Sequence, residues 1–205
     1  MCPVSIEAFI LVGGRSSRMG TDKATVPFEG SPMVERIGSA IRRGLKGTRL
    51  RLVAADHEQL LRLGAIDTAD GFVLDIFPHR GPAGGLHAAL AHSEREWAFV
   101  AACDLPLVSS ELIRLLIERV DDRCDALVPI QPDGRPQPLA AIYRTRTVRD
   151  RLTELLEHPR PSPSMQEVLD SLQVKYVAFE EFEHLEGSHS FFANINLPED
   201  LTNSC

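Results

Sequence analysis

Apolar residues in this chain follow two alternating patterns: short, mostly apolar runs of four to seven residues, and longer stretches in which they recur every three or four positions. The short runs predict strands at 6–12 (IEAFILV), 49–55 (RLRLVAA), 72–75 (FVLD), 97–103 (WAFVAAC), 125–130 (DALVPI), 138–143 (PLAAIY) and 174–179 (VKYVAF). The stretches of helical period predict helices at 33–45, 57–63, 83–94, 109–120, 145–157 and 164–172. Ser109 or Ser110 is placed to cap ELIRLLIERV, because a hydroxyl there accepts from the free amides of a first turn. EHPRPSPS carries three prolines in five positions and is read as a loop; QPDGRPQP is a turn with Asp133 and Gly134 at its tip. Strands alternating with helices predict an α/β fold, a single-domain, doubly wound, mostly parallel sheet of Rossmann-like type covered by helices.

Length and charge narrow the class. At 205 residues the chain is expected to form one domain spanning 1–205, large enough to bury a core without staples. It is 43% apolar and 25% charged, and no uninterrupted apolar run approaches the 18 residues of a spanning helix. The opening MCPVSIEAFILVGG lacks a basic leader and ends in a glycine turn, so it reads as a buried strand and the expected location is the cytoplasm. Cys2, Cys103, Cys124 and Cys205 form no CxxC pair and are read as reduced thiols, Cys103 as a small buried one. A formal charge of -7 argues against a general nucleic-acid binder, which needs excess Lys and Arg, but allows a local phosphate site.

Ligands of doubly wound sheets collect beyond the carboxyl ends of the strands, which singles out GGRSSRMGTDK, DIFPHRGPAGG, DLP and NINLPEDL. Gly13 and Gly14 let the backbone approach a ligand and expose amide donors, while Arg15, Arg18 and Lys23 add cationic side chains: a cradle for an anion with several charges. The spacing is neither GxxxxGK[ST] nor GxGxxG, and by composition alone it also suits a solvated surface loop. Asp104 follows a buried run directly and is either an oxygen ligand for a hard cation such as Mg²⁺ or a turn residue before Leu-Pro. Asp75 ends FVLD, where it is either a hydrogen-bond acceptor for a ligand beyond the strand end or an exposed strand-end carboxylate. Asn194 and Asn196 are two apart and share one side of an extended segment, or form an Asx turn into PEDL.

Four of these blocks, in order, resemble the MobA-type nucleotidyltransferases, in particular the molybdenum cofactor guanylyltransferases. LVGGRSSRMGTDKA resembles L-x-G-G-x-S-x-R-M-G-x-D-K, GPAGGLHAAL resembles G-P-x-x-G-L, AACDLPLVSSELI resembles C-D-x-P, and FFANINLPEDL resembles N-x-N-x-P-E-D-L. The resemblance implies a nucleotide-diphospho-sugar transferase type of fold and a Mg²⁺-dependent transfer of GMP from GTP to the terminal phosphate of molybdopterin, with pyrophosphate leaving. It implies that Leu11, Val12, Gly13, Gly14, Arg15, Lys23, Asp75 and Asp104 bind the nucleotide, with Asp75 accepting from guanine N1 and N2 or from a ribose hydroxyl. Lys23, Arg18 and Asp104 would be catalytic, with Asp104 holding the metal and Asn194 and Asn196 near metal or acceptor. Cofactor-delivery chaperones or molybdoenzymes are the implied protein partners; nucleic acid and membrane are not.

The chain departs from the pattern after its second predicted strand. Where guanylyltransferases often carry Asn-x-Asn it has Ala54-Ala55-Asp56, so Ala54 offers no carboxamide, and Asp56 either compensates or caps the helix at His57. His79, Arg80 and Arg135 adjoin the candidate loops and stay outside the catalytic set. Cytidylyl transfer, sugar-1-phosphate nucleotidyl transfer and non-catalytic nucleotide or cofactor binding are the alternative functions on the same scaffold.

Overall fold

The computed structural model describes residues 4–13, 23–63, 68–158 and 161–195, and of Lys23 the backbone. Its strands are β1 (Ile6–Leu11), β2 (Pro27–Phe28), β3 (Ser31–Pro32), β4 (Leu50–Ala54), β5 (Phe72–Leu74), β6 (Trp97–Ala102), β7 (Ala126–Pro129), β8 (Ala140–Arg144) and β9 (Val174–Val177). Its helices are α1 (Met33–Gly44), α2 (His57–Leu63), α3 (Gly81–His92), α4 (Ser110–Glu118), α5 (Thr145–Glu157) and α6 (Met165–Asp170). Seven strands form one sheet in the order β5-β4-β1-β6-β8-β7-β9. All pairings are parallel except those of β8, which runs antiparallel to β6 and β7.

Period-two alternation along β1 divides the core between the two faces of this sheet. Ala8, Ile10 and Val12 point to a layer formed by α1, α2, α4 and the C-terminal phenylalanines Phe182, Phe191 and Phe192. Phe9 and Leu11 point to the other layer, where Leu86 and Leu90 of α3 meet Val148 and Leu152 of α5 and Val168 of α6. The apolar spacing of α1 (Met33, Val34, Ile37, Ala40, Ile41) forms one stripe toward the sheet. α4 starts where Ser109 Oγ accepts from the Leu112 amide at 3.1 Å. α6 starts at a reciprocal Ser164–Glu167 capping box. Among the described residues no helix is long and apolar enough to cross a membrane.

Apart from shorter ends, as at α4, α6 and β9, three local features differ from the expectation. α3 begins at Gly81 instead of residue 83, because proline fits the first turn of a helix, where its missing amide has no intrahelical partner. β8 begins at Ala140 instead of residue 138: Pro138 lies in the turn before it, where its carbonyl accepts the Tyr143 hydroxyl at 2.6 Å. The two-residue hairpin β2–β3 was not predicted; Glu29 (φ 47°) and Gly30 (φ 84°) make its turn left-handed at both central positions. The Asp133-Gly134 turn is as expected, with Gly134 at φ 83° and β7 leading into antiparallel β8.

At the amino ends of the strands the sheet buries an ion pair. Arg51 Nη2 lies 2.8 Å from Glu7 Oε1, with the two side chains 9% and 2% exposed. Glu7 Oε2 accepts from the Glu94 amide at 3.1 Å, Arg51 also donates to the His92 carbonyl, and its guanidinium stacks over Phe9 at 5.0 Å. Removing one member leaves the other charge buried. Arg51→Met is therefore expected to lower the unfolding free energy by about 3 kcal/mol in urea titration, and Glu7→Leu combined with Arg51→Met to recover much of that loss. A single-variant loss below about 1 kcal/mol would show the pair to be dispensable.

Candidate active site

The strand order reverses its direction of growth at β1. The chain first builds β4 and β5 on one side of β1, then crosses to lay β6 on the other. Leu11, the last residue of β1, stands opposite Val53 of β4 and Ala102 of β6. Three parallel strands consequently end together, and their following residues share the edge of the sheet at which doubly wound folds bind ligands.

Backbone bonds beyond the strand ends set this edge. Val12 and Gly13 both donate to the Val53 carbonyl, at 3.0 and 3.2 Å, and Cys103 donates to Leu11 at 3.1 Å. Asp75 donates to Ala54 at 2.9 Å, which continues the β4–β5 ladder by one rung. Asp75 and Asp104 thus flank the Val12–Gly13 segment from opposite sides. They are separated by three strand spacings, about 14 Å at about 4.8 Å each.

Asp104 is half-buried at the end of β6, and the turn that follows it is held by Leu105 and Val108 amides donating to Ala102 and Leu105. Its carbonyl accepts from the Ile195 amide at 3.1 Å. That bond brings the segment around Ile195 against the backbone of Asp104, more than ninety residues earlier in sequence. Ile195 is buried with Val26, Phe28 and Met33, and Leu107 packs on the same cluster. The unpredicted hairpin β2–β3 therefore has a role: Phe28 helps seat the segment carrying Asn194, which is exposed beside Asp104.

Asp75 is half-buried, and its Oδ1 accepts from the Phe77 amide at 2.9 Å. Burial pushes its carboxyl above the ordinary range, opposed by the Phe77 amide and the nearby charge of His79. A Cβ at Gly84 would stand 2.8 Å from the Phe77 carbonyl and 3.1 Å from Asp75 Oδ2, so only glycine lets the first turn of α3 lie against this carboxylate. His79 (φ 67°) and Gly81 (φ 64°) reverse the chain between Asp75 and α3. Below them His87 braces Phe77 edge-on, with ring centres 4.8 Å apart. Thr153 Oγ1 donates to Arg149 and so accepts from His87 Nε2 at 2.9 Å, and burial pushes the His87 pKa down.

Arg80 donates to the carbonyls of Leu156 and His158 at the end of α5, anchoring the loop, and Arg135 pairs with Asp133 at the exposed hairpin tip. Gly14, Arg15, Arg18 and Asn196 lie outside the described residues, as does the side chain of Lys23, whose backbone opens a short 3₁₀ turn at Lys23–Thr25. Leu11 and Val12 are buried, with Gly13 exposed at the sheet edge.

Ala54 is fully buried and its carbonyl serves the β4–β5 ladder. Asp56 Oδ1 accepts from the Gln59 amide at 2.8 Å, so of its two expected roles the cap is the one observed. Gln59 was missed: it is 4% exposed, and its carboxamide joins the β1 and β4 loops.

Metal-binding potential follows from the donor set. Among the described residues no three His, Cys, Asp or Glu side chains converge into a metal cage. A single half-buried carboxylate at a strand end suits Mg²⁺, which keeps several waters and is commonly shared between one or two carboxylates and substrate phosphates.

Comparison with known proteins agrees with this geometry. Residues 8–174 match the MobA-like NTP transferase domain. The "Probable molybdenum cofactor guanylyltransferase" of Methanothermobacter thermautotrophicus is 32% identical over 94% of this chain and 95% of its own. The crystal structure of molybdopterin-guanine dinucleotide biosynthesis protein A from Archaeoglobus fulgidus is similar at a TM-score of 0.78 and 29% identity, covering 96% of this chain and 95% of that one. Rv0371c of Mycobacterium tuberculosis, solved in complex with manganese, shares the fold at a TM-score of 0.62 and 22% identity, over 85% of this chain and 88% of its own. With a sheet that switches direction at β1 and a family match over most of its length, the chain belongs to the MobA-like NTP transferase domain family.

Proposed function

We propose that the protein transfers GMP from GTP to the terminal phosphate of molybdopterin, with Mg²⁺ as the metal. The observation that carries this reading is that Asp75, the Val12–Gly13 segment and Asp104 lie along one edge of the sheet, an order that would suit base or ribose, phosphates and metal. The names of the relatives support GTP and molybdopterin as substrates.

In this reading an acceptor phosphate oxygen attacks the α-phosphorus of GTP as the bond to the bridging oxygen of the β-phosphate breaks. The electron pair leaves with pyrophosphate. Such a transfer needs alignment and charge neutralisation more than a protein nucleophile. Mg²⁺, when bound, supplies charge neutralisation at the phosphate oxygens. Asp104 would hold it, and the exposed Gly13 backbone would let the phosphates approach. Arg15, Arg18 and Lys23 would stabilise charge on the separating phosphates, and Asn194, with Asn196, would face the metal or the acceptor. Asp75 would read the guanine edge or the ribose.

Three outcomes test this reading. With molybdopterin as acceptor, pyrophosphate release should be driven by GTP and much less by CTP; the reverse preference would reject guanylyl transfer in favour of cytidylyl transfer. Asp104→Asn should reduce turnover by about a hundredfold or more with little change in melting temperature, measured by pyrophosphate release and calorimetry. Asp75→Asn should weaken GTP binding by about tenfold to a hundredfold. A gain for XTP would identify base reading through N1 and N2, and an equal loss across nucleotides would identify ribose contact. Because burial raises the Asp75 pKa in the fold, its ionised form costs stability once the pH exceeds the folded-state value. Asp75→Asn should accordingly keep or raise the melting temperature at neutral pH while affinity falls.

A further inference from the structure

Gln59 stands on the first turn of α2, a short helix whose other polar residues His57, Glu58 and Arg62 are exposed. It is instead 4% exposed. Its Nε2 donates to the Val12 carbonyl at 2.7 Å, and its Oε1 accepts from the Ala55 amide at 2.8 Å. Val12 and Ala55 are the residues at which the β1 and β4 ends part after their last direct bonds, from Val12 and Gly13 to Val53. A carboxamide has the donor and acceptor of a peptide group, so Gln59 acts as an inserted rung: it satisfies one free group on each strand end and holds the ends one group apart.

The inserted rung is itself fixed. Its backbone amide donates to Asp56 Oδ1 at 2.8 Å, and Leu60 N bonds the Asp56 carbonyl at 3.1 Å, which locks the start of α2. On the β1 side, Gly13 sits so close to Ala55 that a Cβ there would lie 3.2 Å from the Ala55 amide nitrogen. The position of Gly13 thus depends on where the Ala55 backbone is held, and that is set by Gln59.

We propose that Gln59 is a positioning residue of the nucleotide site, whose carboxamide fixes the Val12–Gly13 segment in the geometry that receives a nucleoside triphosphate. This rests on the reading of that segment as the nucleotide site. Gln59 needs both a donor and an acceptor for the task, which makes the near-isosteric carboxyl group a selective probe. An ionised carboxylate accepts from Ala55 but faces the Val12 carbonyl with no proton to donate; a protonated carboxyl does both. Burial beside a carbonyl also favours the protonated form, which brings the change within reach of mild acid.

The test is GTP binding in the presence of Mg²⁺ by titration calorimetry, with the folded state of each variant verified by circular dichroism. Gln59→Glu should bind about tenfold more weakly than wild type near pH 8.5 and within about twofold of it near pH 5.5. Gln59→Met, which lacks both groups, should be about tenfold or more weaker at both pH values. A purely structural role would alter melting temperature without this acid rescue of affinity. If wild type binds GTP and both variants match it at both pH values, the proposal is overturned. If wild type binds no nucleoside triphosphate, the reading of the segment as a nucleotide site fails first. Should the variants not fold, wild-type amide exchange decides: GTP should slow exchange of the Ala55 amide severalfold, and an unchanged rate with GTP bound overturns the proposal.

Discussion

The parallel pairing of β1 between β4 and β6 is the constraint from which the rest of the molecule follows. β1 is in register with β6 from Ile6 opposite Trp97 to Leu11 opposite Ala102, and with β4 from Ala8 opposite Leu50 to Leu11 opposite Val53. A slip of one residue would turn Phe9 and Leu11 toward the layer that holds Ala8 and Ile10, and would shift the ends of the strands against one another. The burial of two different apolar layers on the faces of the sheet therefore also determines that Gly13, Asp75 and Asp104 meet at one edge.

Buried polar groups stand at both ends of these strands. Glu7 and Arg51 tie β1 to β4 at the amino end, and Gln59 bridges the same two strands at the carboxyl end. Buried polar groups are tolerable only when their partners are in place, so each penalises pairings other than the observed one. Arg80 follows the same logic on the loop after β5: its guanidinium is engaged with carbonyls at the end of α5 and ties down the loop that carries Asp75.

The candidate site is assembled from chain segments that are far apart in sequence and differ in how they are held. Asp75 and Asp104 are placed by the ends of strands, whose ladders carry on for one more bond. Asn194 depends on a backbone bond to Asp104 and on a small apolar cluster that includes the hairpin β2–β3. Placement of Asn194 thus depends on contacts between distant segments, whereas the two aspartates are placed by the sheet itself.

Strands and helices were legible in the sequence because unbroken apolar runs and three-to-four spacing are dictated by burial within each element. The Ser109 cap and the Asp133-Gly134 turn were legible because they use local chemistry, and Asp75 and Asp104 stood out as carboxylates at the ends of apolar runs. The two-residue hairpin carried no periodic signal at all. Gln59 and Arg51 gave no local signal of their roles, because their partners, Val12 and Glu7, lie more than forty residues away. Local pattern by itself determined the elements, their α/β alternation and the candidate carboxylates, since these follow from interactions among near neighbours. Only tertiary structure decided the strand order, the antiparallel β8, the closing segment beside Asp104 and the bridging role of Gln59, since each arises from a hydrogen bond or packing contact between distant parts of the chain.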